Sequence, residues 1–285
     1  MIPVNYVFAF FGLLFASIFD IKTREIPDWL NYSMIGLGFG TAVIYSTIFL
    51  TFRFLVSAVL GFLLALLIAM IFYKAGQWGG GDAKAMMGLG ALIGLEFTGE
   101  LPIFIILLLN IFIIGAIYGT VWSVFLAIKH KKQFKKSFKE IIREKNILII
   151  RKTILIIVVL LLLSLLITPT LVKPFILGIA AFVFFVFYFY VYSKAVEKAA
   201  MEKYIPIEKL TEGDWVLEEI YANKKKICSP KDYGVTKKQI AKLLELKKYH
   251  KRSKIKIKEG IPFLPSFFIA FVMLLLLGNW LMWLL

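Results

Sequence analysis

Two acidic positions interrupt an otherwise apolar chain, and their surroundings suit them to joint work. Asp20 closes the apolar run 7–19, and Asp82 ends the tetrapeptide Gly79-Gly80-Gly81-Asp82, which opens another such run. An ionisable group at a membrane segment is costly enough to count as a functional hypothesis by default. Two carboxyls at one membrane face fit paired acid/base chemistry. Brought close they cannot both ionise easily, so one holds a proton while the other activates water.

Each position also has an ordinary structural reading. Asp20 falls where a first helix would end, and a carboxylate there opposes the helix dipole unless it stops the helix or pairs with Lys22 or Arg24. Asp82 follows three glycines and precedes Ala83-Lys84-Ala85-Met86-Met87, the pattern of an N-cap at a turn into a helix. The glycines would equally form a loop that lets an extended peptide approach. Lys84 is placed to alter the local field or to snorkel toward headgroups. Asp28, beyond Ile26-Pro27, reads as the N-cap of a second helix, and Asn110, mid-span, as interhelical packing glue.

Other chemistries lack their residues. Cys228 is the single cysteine, which excludes an intramolecular disulfide and a CxxC zinc framework. His130 and His250 lie within lysine runs, so metal clusters and histidine-activated nucleophiles have no support. Neither a metal nor another cofactor is expected. The net charge of +16 raises nucleic acid as a partner, but its distribution points to membrane topology instead, with anionic headgroups as its counterpart.

The elements that must position the two acids are membrane helices. A chain of 285 residues that is 60% hydrophobic, with mean hydropathy +0.82, has more apolar surface than a soluble fold of its size could bury. The expected fold class is an all-α polytopic membrane protein of about eight transmembrane helices, N-terminus outside, with a small α/β cytoplasmic lobe. The spans, each needing about 17–25 apolar residues, are expected at 4–20, 29–50, 53–73, 83–98, 101–128, 153–169, 172–193 and 262–284, the fourth being the shortest. No Lys or Arg precedes the first apolar run, unlike a cleavable signal, so the first span and Asp20 are expected to be retained.

With that topology 32 of the 34 Lys and Arg fall in the inside segments 21–28, 74–84, 129–152 and 194–260, leaving Arg53 and Lys173 outside. Segment 129–152 alone, with ten basic and two acidic residues, is short enough to govern orientation. Both aspartates then lie at the cytoplasmic face of a multi-pass protein of the cell membrane.

The chain divides into a compact membrane block at 1–128, a basic connector at 129–152, further transmembrane helices at 153–193, a cytoplasmic lobe at 194–260 and a last span at 261–285. In the connector, Phe134, Phe138, Ile141 and Ile142 recur among cations at helical spacing. That suits a helix lying on anionic headgroups, or else a solvated linker. The lobe should hold a strand at 215–217, a helix at 236–249 and a second strand at 254–258. Thr236 and Gln239 form a capping box for that helix, and Ile240, Leu243 and Leu244 its buried stripe.

The run Asp20-Ile21-Lys22-Thr23-Arg24-Glu25-Ile26-Pro27-Asp28, followed by Gly79-Gly80-Gly81-Asp82-Ala83-Lys84, resembles the type IV prepilin and archaeal preflagellin peptidases, aspartyl proteases of the GxGD class. The resemblance extends through most of residues 1–128. More loosely, Gly260-Ile261-Pro262-Phe263-Leu264-Pro265-Ser266-Phe267 is similar to the Pro-Phe-x-Pro stretch that opens the last span in that family. The resemblance implies that Asp20 and Asp82 are the catalytic pair, with Gly79, Gly80, Gly81 and Lys84 in support. It further implies that Pro262, Phe263 and Pro265 line the substrate path, though Pro in a first helical turn needs no functional reason.

The implied substrates are precursor pilins or archaellins, cut on the cytoplasmic side between a short basic leader and a hydrophobic helix. Bacterial members often carry a cysteine-rich domain and methylate the new N-terminus. One cysteine and a short 21–28 connection look more like the archaeal form, so no methyltransferase activity is expected.

Two alternatives stand beside this. A presenilin or signal-peptide-peptidase relative would carry Tyr-Asp and Pro-Ala-Leu motifs, where this chain has Phe19-Asp20 and Pro262-Phe263-Leu264. A cation- or proton-coupled transporter would use Asp20 and Asp82 along a path open to both sides, yet no acidic partner is apparent at mid-membrane.

Overall fold

The computed structural model describes residues 3–97, 101–222, 225–230, 232, 234–247 and 254–280. His250, residue 98, the helix end at 248–249 and the span end at 281–284 lie outside the described residues. Ten α-helices are present among the described residues. They are α1 (Val4–Thr23), α2 (Asp28–Ile48), α3 (Arg53–Lys74), α4 (Gly80–Ile93), α5 (Ile103–Lys129), α6 (Lys131–Ile141), α7 (Lys145–Ser164), α8 (Lys173–Val196), α9 (Lys237–Lys247) and α10 (Leu264–Leu277). Five short strands accompany them: β1 (Glu202–Pro206), β2 (Trp215–Val216), β3 (Ile220–Ala222), β4 (Lys225–Cys228) and β5 (Lys254–Lys258).

A helix stands at each of the eight expected spans. Five of them are long and apolar enough to cross a membrane: α1, α3, α5, α7, and α8 with its π-helical continuation to Met201. α2 has the length, but Asn31, Ser33 and three glycines dilute its hydropathy. α4 and α10 have 14 residues each, about 21 Å at 1.5 Å per residue against a hydrocarbon core of about 30 Å.

The chain forms two compact units. The first comprises 1–121, 206–253 and 260–285. Within it α4 packs on α1, α2 and α3, while α1 also packs on α10. Small residues make this possible. A Cβ at Gly90 would stand 2.4 Å from the Gly61 carbonyl oxygen, so α3 and α4 touch backbone to backbone, as small residues allow between membrane helices. The core around them includes Leu13, Met34, Met86, Leu89, Phe104, Leu107, Phe267 and Phe271. Asn110, fully buried, donates from Nδ2 to the Ala270 carbonyl (3.5 Å) and accepts from Trp280 Nε1 (2.8 Å), the interhelical role its sequence position suggested.

The same unit holds part of the lobe. β3 pairs antiparallel with β4. α9 opens on the expected capping box: the Thr236 N–H donates to Gln239 Oε1 (2.8 Å) and the Gln239 N–H to Thr236 Oγ1 (3.3 Å). Its stripe is narrower than expected. Leu243 is buried and Ile240 half-buried, but Leu244 is exposed, on a helix that packs on β4 and the 3-10 turn Ile207–Lys209.

The second unit comprises 122–205 and 254–259. Phe134, Phe138 and Ile141 of α6 pack against Ile147 of α7 and Phe187, Val191 and Ala195 of α8. The apolar face expected to meet headgroups is covered by protein, and the exposed face carries Lys131, Lys132, Lys135, Lys136 and Lys139. α7 begins inside the stretch expected as connector. β5 lies beside β1 with Ile255 and Ile257 buried, and ion pairs Lys256–Glu202 (2.6 Å) and Lys258–Glu197 (2.9 Å) border it.

Candidate active site

α1 carries Asp20 in its last turn, buried at 6% exposure. The helix stops at Arg24, which adopts the left-handed conformation (φ 61) and donates its N–H to the Asp20 carbonyl at 3.0 Å. The chain then reverses through Ile26-Pro27 into α2. The Asp20 carboxylate turns to a different helix: Oδ2 accepts the Leu264 N–H at 2.9 Å. Leu264 is the first residue of α10, and Phe263 before it offers no side-chain cap. A carboxylate that opposes the dipole of its own helix therefore stands at the favourable end of another and satisfies one of its orphan donors.

Arg24 reaches the same segment from a second point, its Nη1 donating to the Gly260 carbonyl at 3.2 Å. Between these two anchors Pro262 is buried and Phe263 half-buried, with Pro265 buried just beyond. The Phe263 ring fills the space left by Gly115 of α5, where a Cβ would stand 2.7 Å from Cζ.

α4 places Asp82. Gly79 is extended and serves as N-cap; its N–H donates to Asp82 Oδ2 at 2.9 Å. Asp82 is thus the third residue of the first turn, closing back on the cap, and not the N-cap itself. That bond winds Gly80 and Gly81 into the helix, so the expected loop is shorter than the three glycines. Gly81 is required by proximity, since a Cβ there would meet Ile26 Cδ1 at 2.7 Å.

Lys84 spends its charge on Asp28, Nζ to Oδ1 2.5 Å, and lies 5.5 Å from the centre of the Tyr32 ring. Asp28 makes no cap. Pro27 holds that position, and Asp28 instead ties the start of α2 to α4. Asn31 of α2 donates to the Gly81 carbonyl at 3.5 Å, a second and longer tie.

The result is one buried and one half-buried carboxyl, from the end of α1 and the start of α4, near enough for their charges to act directly on each other. Such a pair can share a proton and pass it to and from a water held between them. Among the described residues no group of three His, Cys, Asp or Glu comes together as a metal set.

Three features escaped the sequence reading: the Arg24 bond to Gly260, the Leu264 N–H and Trp78. Trp78 is 3% exposed, stacked on Phe72 (4.5 Å) and edge-on to Phe267 (5.3 Å), directly before the glycines. A large aromatic at that position was the available signal. The bonds made by Arg24 and Leu264 have none, because their partners lie more than two hundred residues away.

A helical membrane protein with two interacting carboxyls at helix ends is the class that this fold and site define. The model of the type IV leader peptidase family matches residues 7–120, the stretch that holds Asp20, Gly79–Asp82 and Lys84. The resemblance read from those motifs therefore holds for that stretch. Over 90 residues the chain is 37% identical to a preflagellin peptidase of Methanocaldococcus jannaschii, and over 92 residues 38% identical to one of Methanococcus voltae. A preflagellin peptidase of Methanococcus maripaludis is 34% identical over 93 residues. Each match covers 32% of this chain and spans only 38–39% of the relative's length. Residues 260–265 lie outside the matched family stretch.

Proposed function

We propose that this chain is a membrane aspartyl endopeptidase that removes the basic leader of precursor archaellins or type IV pilins at the cytoplasmic membrane face. The observation that carries the reading is the placement of Asp20, in the last turn of α1, and Asp82, in the first turn of α4, on two helices that pack together. The similarity of residues 7–120 to leader peptidases and the preflagellin peptidase activity of the relatives support it.

In this mechanism one carboxylate takes a proton from a bound water. The hydroxide so formed attacks the scissile carbonyl carbon, while the protonated partner donates a hydrogen bond to the carbonyl oxygen. Collapse of the tetrahedral intermediate breaks the C–N bond, and the proton taken from water passes to the leaving amine. Hydrolysis needs no metal or organic cofactor. Gly79–Gly81 keep the backbone beside Asp82 low, and Lys84 braces that turn through Asp28. The Gly260–Leu264 segment, with Pro262, Phe263 and Pro265, forms a wall beside the pair.

Eight spans with the N-terminus outside would put both aspartates at the cytoplasmic headgroup level, where a leader–helix junction also lies. In that arrangement 1–128 is the working membrane block, 129–152 a connector, 153–193 added spans, 194–260 a cytoplasmic lobe and 261–285 the last span. The activity stops at cleavage, without methyl transfer.

The test is cleavage of a precursor with a basic leader by the full chain in proteoliposomes. Asp20→Asn and Asp82→Asn should each abolish product while the protein inserts and melts normally. Normal cleavage by either variant sinks the pair.

A further inference from the structure

The turn that delivers the chain to Asp82 is fixed joint by joint. At the end of α3 the Gly76 N–H donates to the Tyr73 carbonyl (3.0 Å) and the Gln77 N–H to the Phe72 carbonyl (2.9 Å), with Gly76 left-handed at φ 67. This is a Schellman stop, and its glycine is required by that φ. Trp78 follows, buried and stacked on Phe72. Gly79 then caps α4, and Asp82 closes on it.

One more constraint comes from far along the chain. Trp215 of β2, half-buried, lays the outer edge of its indole against Gly76: a Cβ there would stand 3.2 Å from Cη2 and 3.5 Å from Cζ3. The edge of a rigid indole against a glycine gives dispersion contact and leaves the turn little room to roll toward it. Trp215 lies outside the 7–120 stretch that matches the leader peptidase family. The lobe segment 206–253 has so far had no task.

We infer that Trp215 is a positioning residue for Asp82: through Gly76 it fixes the α3–α4 turn and with it the direction in which the Asp82 carboxyl is presented. The inference rests on the reading of Asp82 as half of the pair. Trp215 acts at Gly76, six residues before Asp82, and every joint between is held, so a roll at Gly76 is passed on to the carboxyl. Displacements of about 1 Å in a catalytic group can cost up to about a hundredfold in rate.

The test uses the full chain in proteoliposomes with three variants, Trp215→Ala, Trp215→Phe and Gly76→Ala. Steady-state cleavage of a basic-leader precursor over a range of concentrations is read alongside amide hydrogen exchange at 76–82. W215A should lower kcat about 10- to 100-fold with KM nearly unchanged, and should speed exchange at 76–82 while peptides of α1 and α2 exchange as in the wild type. W215F should recover most of both. G76A, with the indole intact but its seat strained, should reproduce the loss of kcat.

Wild-type kcat in W215A, a change confined to KM, or faster exchange throughout the first unit would each overturn the inference. If the wild-type chain cleaves no precursor, the peptidase reading falls. Exchange then decides alone: an unchanged 76–82 segment in W215A overturns the positioning role, and local acceleration supports it.

Discussion

The Asp20 carboxylate accepts the main-chain N–H of Leu264 at 2.9 Å, joining positions 244 residues apart. One residue thereby serves two helix ends, its main-chain carbonyl accepting the Arg24 N–H that closes α1 and its carboxylate the N–H that opens α10. Binding and function are separable there, because the acceptor atom and the titratable proton are different properties of the same group.

Removing the acceptor leaves a buried N–H without a partner at the start of α10. Asp20→Ala should cost about 1–2 kcal/mol, the range for a lost helix cap. Asp20→Asn keeps an acceptor and should cost less than about 1 kcal/mol. Thermal unfolding in detergent separates the two, while neither variant should cleave. Equal stabilities would mean that the bond to Leu264 contributes nothing.

Asp82→Asn should melt as the wild type does, since a carboxamide oxygen can still accept the Gly79 N–H. Its cleavage rate should fall by at least about 100-fold, the lower range for loss of an acid/base group. Wild-type melting with lost cleavage is the expected pair of results. A large drop in melting temperature would show that the charge, beyond the acceptor, holds the turn.

Gly90 and Gly40 should respond in opposite ways. Gly90→Val would force a Cβ 2.4 Å from the Gly61 carbonyl oxygen and separate α3 from α4, so folded protein should be lost on gel filtration. Gly40→Ala meets nothing within 4 Å and should be neutral or stabilising by about 0.5–1 kcal/mol, the gain of Ala over Gly in a helix. A tolerated Gly90→Val would contradict the close contact.

The Lys84–Asp28 pair is partly exposed, with Asp28 at 62%. A double-mutant cycle should therefore give a coupling of less than about 1 kcal/mol, reduced further by salt. A coupling of several kcal/mol would assign the pair a structural weight that its exposure argues against.

Burial, with Asp232 adding to it, pushes the Cys228 thiol up to about 11. The unfolded thiol ionises near its ordinary value of about 8.5. Between these values the folded state holds more protons than the unfolded state, so stability from this group is intact below about pH 8.5 and declines as pH rises toward 11. At pH 8 an alkylating reagent should leave Cys228 unmodified in folded protein and label it after denaturation. Rapid labelling of the folded chain would refute its placement.

What the sequence could disclose followed the range of the interaction that decides each feature. Apolarity is local, so helix appears at each expected span, and the Thr236–Gln239 box reads directly because three residues contain it. Three consecutive glycines argue against helix at 79–81, yet Gly80 and Gly81 are helical behind the extended Gly79, whose N–H bonds Asp82. The amphipathic pattern of α6 showed that one face is apolar; that Phe187 and Val191 cover it depends on a helix some fifty residues later. Arg24–Gly260, Asp20–Leu264 and Trp215–Gly76 join distant positions, and no local rule signals them. Asp28 read as a cap because its neighbours permit one, while Lys84 across the helix pair took it instead.

At 14 residues α4 is too short and too rich in glycine and alanine to leave a translocation channel for lipid unaided. In the proposed eight-span topology its backbone contact with α3 supplies the partner, and the two would enter the bilayer together as a hairpin. Biogenesis and the geometry of the Asp82 turn then become one event: a chain that inserts α3 without α4 in register has no such turn to correct later.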